Sequence, residues 1–411
     1  MRLTTAVLRP AARTWLRRVQ SELSLLPVPS NAARQHVPGP DADRVLVFGN
    51  GPATGFGVRS QELGLPGQLA RELGRATGRG VEVDLGRGRG MTIESAPPRL
   101  DQLRLWRYDS IVVTLGATDA GGLLPEERWE TGLLALLDAV RVRSSPTTAV
   151  AVLGIRPQAR TPQGIGLFDR AVDAHACRLD AVTARICAQE CVDFVPLTPA
   201  LEAVGETRYF TPGSYQAIAE QVALALAPRL DARHADGEWE ALRAWRDGAA
   251  TDEAGRQEAV DRMGLTTRPA TPRLERLVRS AADLFGTAYA HVGILDGDRL
   301  VSKAALGIEG GSIPRRVTIC DETVRREGAF VVGDALADPV ASRYGMQVDG
   351  APVRFYAGHP LESPDGYRLG TLCVFDTVAR ESSRIDEERL RELAVRVQNE
   401  LWDEVGWAPA I

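Results

Sequence analysis

Two cysteines, Cys320 and Cys373, lie near other residues able to do chemistry. Asp334, Arg354, Tyr356 and His359 fall between them, in the last third of a 411-residue chain. A thiolate can act as a nucleophile, and two neighbouring thiols can respond to redox state. An apolar pocket with a few polar groups is the usual small-molecule site. Cys320, Asp334, Arg354, Tyr356, His359 and Cys373 are therefore the candidate ligand-binding residues. A packing role stays open for the thiols, because free cysteine is among the most buried residue types. Arg354 can equally pair with Asp334 or Asp338. In a strand over Arg368–Phe375, Cys373 faces away from Leu372 and Val374. If Leu372 and Val374 pack under helices and a segment carrying Cys320 closes over the other face, the two thiols are neighbours.

A second group of candidates lies in three glycine-rich stretches, Gly49–Gly57, Gly86–Gly90 and Gly116–Asp119. The elements before them decide whether they meet. Arg44–Gly49, Val81–Leu85, Ser110–Leu115, Ala149–Ile155 and Val192–Pro196 are short apolar runs that read as buried strands. Helical spacing between them, over Ser60–Thr77, Trp129–Val142, Phe168–Gln189 and Tyr215–Leu226, predicts a parallel sheet covered on both faces. Ligands in such folds sit beyond the carboxyl ends of the strands. That brings the three stretches to one rim.

After Thr271 the pattern changes. A helix with a broad apolar face (Leu274, Leu277, Val278, Ala281, Ala282, Leu284, Phe285) precedes a hairpin, Ala290–Leu295 and Leu300–Ala304. Further strands follow at Phe330–Val332, Val353–Tyr356 and Arg368–Phe375, and a terminal helix at Asp386–Glu404. This is an antiparallel sheet with helices gathered on one face. The expected organisation is a basic amphipathic segment at 1–42, an α/β domain at 43–230, a partly helical linker at 231–270 and an α+β domain at 271–404. Trp239, Leu242 and Trp245 mark the helix expected in the linker.

The bulk composition is that of an ordinary globular protein. Hydrophobic residues are 44% and charged residues 25%, and the net charge is −5. No nucleic-acid footprint is visible. Five cysteines without regular spacing argue against a disulfide framework and for reduced thiols in a cytoplasm. Cys187 and Cys191 have no second pair to complete a zinc site. The histidines are scattered, so no metal or other cofactor is expected. No apolar run reaches the roughly 18–20 residues that span a bilayer. Arginines interrupt the N-terminal apolar stretch, so export is not expected. Surface contact with an anionic membrane stays open for that helix, beside packing on the first domain.

The first domain resembles the SGNH/GDSL hydrolases. Their Gly-Asp-Ser block matches Gly49-Asn50-Gly51, their second-block glycine Gly88 or Gly90, and their Gly-x-Asn-Asp block Gly116-Ala117-Thr118-Asp119. Their final Asp-x-x-His block falls on Glu206-Thr207-Arg208-Tyr209. The resemblance implies a three-layer α/β fold, and also that the chemistry is lost. Gly51 replaces the serine nucleophile, Tyr209 the histidine base and Glu206 the aspartate. A phenol of pKa about 10 is a poor base near neutrality. Thr118 replaces the asparagine donor of the oxyanion hole. Thr54 and Ser60 are the hydroxyls nearest the loop, but lie after its first turn. His175 and His234 read as packing or surface residues.

The second domain is similar to GAF domains of bacterial sensors. The strings that carry this are Lys303 to Gly307, Ile319-Cys320-Asp321-Glu322-Thr323-Val324, and Val332-Gly333-Asp334-Ala335-Leu336-Ala337-Asp338-Pro339. Two more follow, Arg354-Phe355-Tyr356-Ala357-Gly358-His359-Pro360-Leu361 and Asp365 to Asp376. No Cys-His dipeptide occurs, which argues against a bilin. The resemblance implies a cytoplasmic signalling or regulatory protein. Its GAF domain would sense a small ligand or redox state, beside a hydrolase-like domain that binds without catalysis. Because no effector domain follows before Ile411, the output is expected from the first domain, a protein partner or a second copy. Two alternatives remain: a GAF-regulated esterase with an unorthodox site, and a thiol enzyme similar to free methionine sulfoxide reductases. The absence of that reductase family's clustered cysteines counts against the latter.

Overall fold

The computed structural model describes residues 16, 18–19, 21–29, 34–88, 90–100, 103–156, 167–197, 210–236, 252–326, 328–364 and 366–405. The chain divides into two compact units between residues 239 and 240. Among the described residues no helix is long and apolar enough to cross a membrane.

In the first unit, β1 (Gln35–Val37), β2 (Asp43–Gly49), β3 (Val81–Arg87), β4 (Ser110–Thr114), β5 (Ala149–Leu153) and β6 (Asp193–Val195) form one sheet. Its order is β1-β3-β2-β4-β5-β6. β2 to β6 are parallel, and β1 pairs antiparallel with β3. Strand alternation splits the core. Val45, Val47 and Val112 pack with Leu65, Leu69 and Leu73 of helix Leu65–Thr77, and with Ile218, Val222 and Leu226 of helix Pro212–Ala235. Leu46, Phe48, Ile111 and Val113 pack with Trp129, Leu133 and Leu136 of helix Glu126–Arg143, and with Leu179 and Ile186 of helix Leu167–Gln189. This is the expected three-layer α/β fold. The short polar edge strand β1 was not foreseen.

The last helix of this unit starts with a capping box, in which Thr211 and Ser214 exchange side-chain and backbone hydrogen bonds, with proline just inside. It runs to Ala235, into the stretch read as linker. The helix expected around Trp239, Leu242 and Trp245 lies outside the described residues.

The second unit holds β7 (Tyr289–Asp296), β8 (Arg299–Leu306), β9 (Ser312–Pro314), β10 (Phe330–Val332), β13 (Phe355–Glu362) and β14 (Arg368–Asp376), with a small separate pair, β11 (Gln347–Val348) and β12 (Ala351–Pro352). The main sheet is antiparallel throughout, in the order β10-β13-β14-β7-β8-β9. Helices Pro272–Phe285 and Glu387–Glu404 pack on each other and on the sheet. The expected α+β architecture is therefore present. Helix Glu253–Met263, in the stretch read as linker, also belongs to this unit. Its Ala259, Val260 and Met263 are buried, and Arg256, 1% exposed, donates to Leu295 O. Gln257 Nε2 donates to Asp296 Oδ1 at 2.7 Å.

Candidate functional site

In the first unit, the sheet order reverses between β2 and β4, and their carboxyl ends frame a crevice. Asn50 N donates to Thr114 O at 2.7 Å, and Thr114 Oγ1 donates to Asn50 O at 2.8 Å. A Cβ on Gly49 would lie 2.2 Å from Thr114 O, so glycine is what lets these chains approach so closely. A cavity of about 120 Å³ opens here. Asn50, Gly51, Thr54, Gly90 and Thr118 line its rim, with Leu153, Ile155, Arg156, Leu197 and Phe210 beside them. Leu16, Val19 and Leu23, among the described residues of the N-terminal segment, also line it.

Gly51 has φ +58, and a Cβ there would meet nothing within 4 Å. The cavity is therefore open beside Gly51, which brings no side chain to it. Asn50 Nδ2 is engaged within the rim, donating to Met91 O and to Thr118 Oγ1, the latter at 3.1 Å. Asp119 turns to the backbone instead. Its Oδ1 accepts from Ile93 N at 3.1 Å, and burial pushes its carboxyl up to about 7 against that hydrogen bond. Gly88 N donates to Gly49 O at 3.0 Å, binding β3 to β2 rather than lining the cavity. Glu206 and Tyr209 lie outside the described residues. His175 Nε2 contacts Leu124 O at 2.7 Å and His234 sits 3.3 Å from Asp43, so neither lines the cavity. Thr54, placed beyond the first turn by the sequence, does line it. Its Oγ1 is buried without a hydrogen-bond partner.

In the second unit, Cys320 Sγ and Cys373 Sγ lie 3.8 Å apart, and both residues are fully buried. The expectation that these thiols are neighbours holds. Cys320 opens the short helix Cys320–Val324, which covers the sheet face carrying Cys373 and Phe375. Tyr356 Oη donates to Cys320 Sγ at 3.6 Å and shares a 2.7 Å hydrogen bond with Thr323 Oγ1. Sheet register sets Gly358, Cys373 and His291 in one row across β13, β14 and β7. A Cβ on Gly358 would lie 2.3 Å from Tyr356 Oη, and one on Gly293 would lie 2.6 Å from His291 Cε1. Both glycines therefore clear space for the polar cluster.

The two sulfurs are not equivalent. The Cys373 thiol stabilises a Cys320 thiolate by hydrogen bonding, and His291 adds to this, so Cys320 sits well below the ordinary thiol range despite burial. Its proximity and burial push Cys373 well above that range.

The remaining candidates lie elsewhere. Arg354 Nε donates to Asp334 Oδ1 at 2.8 Å, forming a partly exposed pair that ties the segment after β10 to the start of β13. His359 is opposite Leu372, so it occupies the face opposite Tyr356 and Cys373. Its Nδ1 contacts Pro360 O at 2.9 Å. Of the six candidates, the structure brings Cys320, Tyr356 and Cys373 together and sets Asp334, Arg354 and His359 apart from them. His291, which the sequence did not single out, brings a ring nitrogen within 4.8 Å of both sulfurs.

A family model for the GDSL-like lipase/acylhydrolase family matches residues 47–217, and one for the GAF domain matches residues 270–401. A cyclic di-GMP phosphodiesterase of Pseudomonas aeruginosa is 38% identical over 130 residues, covering 31% of this chain and 22% of that protein. The chain thus spans about a fifth of the length of this relative. The crystal structure of a lipase/acylhydrolase from Enterococcus faecalis is similar at 16% identity, with a TM-score of 0.38, covering 46% of this chain and 96% of that one. The GAF domain of the Acinetobacter phosphoenolpyruvate-protein phosphotransferase is similar at 15% identity, with a TM-score of 0.29, covering 37% and 95%. The chain accordingly joins a domain of the GDSL-like lipase/acylhydrolase family to a C-terminal GAF domain.

Proposed function

We propose that this is a cytoplasmic signalling or regulatory protein. Its GAF domain senses a small ligand or redox state, and its hydrolase-like domain binds a ligand or partner without cleaving esters. The observation that carries this reading is Gly51 in the wall of the cavity, where a hydroxyl would be needed for acyl transfer. Loss of one triad member costs roughly four to six orders of magnitude in rate. Tyr209 in place of the histidine removes the base as well. The adjacent buried thiols are the proposed sensing element, and the free state of all five cysteines fits a reducing compartment. The partial match to a cyclic di-GMP phosphodiesterase supports a signalling setting. Assay of the purified chain against p-nitrophenyl esters tests the loss of catalysis. Oxidation followed by peptide mapping of Cys320 and Cys373 tests the redox arm.

One observation favours a second reading, a GAF-regulated esterase. Thr54 offers a buried, unpartnered hydroxyl in the same cavity. Under that reading ester turnover is measurable and disappears in Thr54→Ala.

A further inference from the structure

We infer that His291, Cys320 and Cys373 form a binding site for one soft d10 cation, Zn²⁺ or Cu⁺. This names a ligand class for the sensor proposed above and rests on that reading.

The donor set comes first. Two sulfurs and one imidazole nitrogen lie within 4.8 Å of one another, and all three residues are buried. Thiolate and imidazole select zinc or cuprous copper over the hard cations, which take oxygen ligands. The spacing agrees. Zinc–sulfur bonds of about 2.3 Å at a tetrahedral centre set two thiolates roughly 3.8 Å apart. The sulfurs stand 3.8 Å apart here. Cuprous copper with three ligands needs a similar separation.

The surroundings are those of a held ligand. A metal-bound imidazole usually has its other nitrogen anchored by a second group. His291 Nε2 is 3.0 Å from Ser302 Oγ, which anchors the ring. Gly293 leaves room for the imidazole, and Gly358 leaves room for the Tyr356 hydroxyl. That hydroxyl, beside Cys320, is available as a fourth neighbour for zinc and is not needed for three-coordinate copper. Charge completes the case. Binding releases thiol protons, and a divalent cation neutralises the two thiolates that it requires inside an apolar core.

The full chain is produced in cells supplied with Co²⁺ in place of zinc, and separately with copper. It is purified anaerobically without chelator, and metal per chain is measured by mass spectrometry. The expected result is close to one cation per chain. Cobalt protein should show thiolate-to-cobalt charge-transfer absorption, and copper should be released stoichiometrically when a mercurial blocks the thiols. Cys373→Ser and His291→Asn should lower occupancy by about tenfold or more. Tyr356→Phe distinguishes the cations, lowering cobalt retention while leaving copper unchanged. Should the variants fail to fold, mercurial release from the unmodified chain remains decisive.

Absence of a bound cation in both media overturns the inference, as does full occupancy in folded Cys320→Ser/Cys373→Ser protein. Metal-free protein that forms a Cys320–Cys373 disulfide on oxidation overturns the metal site and leaves the sensor reading standing. Protein that does neither overturns the metal site and removes the redox arm of the sensor reading.

Discussion

Cys320 and Cys373, 53 residues apart in sequence, bring their sulfurs to 3.8 Å of each other beneath the short helix Cys320–Val324. Neither has solvent exposure, and Cys187 is also buried, whereas Cys177 and Cys191 are exposed. Brief treatment of the native reduced chain with iodoacetamide should therefore label Cys177 and Cys191 first. Peptide mapping that finds Cys320 or Cys373 labelled as fast as Cys177 would contradict the buried pair.

Helix Glu253–Met263 is expected to be needed for the stability of the GAF domain. A fragment beginning near residue 252 keeps the packing of Val260, Met263 and Leu265, and the Arg256 hydrogen bond to Leu295 O. One beginning at Thr271 loses these and exposes apolar surface, at about 25 cal/mol per Å². Thermal melts of the two should both be cooperative, with the longer fragment melting higher. Equal midpoints would show that the helix contributes nothing.

Lys303 is expected to be sensitive to truncation. Its ammonium donates to Leu265 O and Arg268 O at 3.0 Å each, and pairs with Glu404 at 2.6 Å with both side chains under 10% exposed. Lys303→Ala leaves the Glu404 carboxylate buried without its cation, which costs about 3–5 kcal/mol. Arg354→Ala breaks a partly exposed pair and should change denaturant midpoints little. Similar midpoint shifts for the two would refute the distinction.

Asp119 gives the first domain a pH dependence. Its folded pKa is raised by burial to about 7, against about 3.9 when unfolded. The folded state then holds the extra proton between those values. The contribution of Asp119 to stability is present below about pH 4 and is lost as pH rises through 7. Asp119→Asn can still accept from Ile93 N–H. It should flatten the melting profile between pH 4 and 7 and melt no lower than the parent at pH 8. A slope unchanged from the parent would contradict the raised carboxyl.

Much of both folds was legible because buried parallel strands read as apolar runs ending in glycine, and the GAF strings fix their own hairpins. Glu253–Met263 was not legible, because its charged residues resemble a solvated connector and a buried arginine carries no apolar signal. His291 was hidden for another reason. It is one polar residue in a buried strand, and its place opposite Cys373 follows from the β7–β14 register. The separation of His359 from Tyr356 was in principle readable, since residues three apart on a strand face opposite ways. Thr54 depends on the turn Gly51–Thr54, whose path the glycines leave open to sequence reading.

The most direct test of lost catalysis is steady-state hydrolysis of p-nitrophenyl acetate and longer acyl esters by the purified full chain. The account predicts rates no higher than those of heat-denatured protein. It also predicts none in Gly51→Ser, which restores a hydroxyl but still lacks a histidine at Tyr209. Turnover by the unmodified chain that vanishes in Thr54→Ala would contradict the account and establish the hydrolase reading.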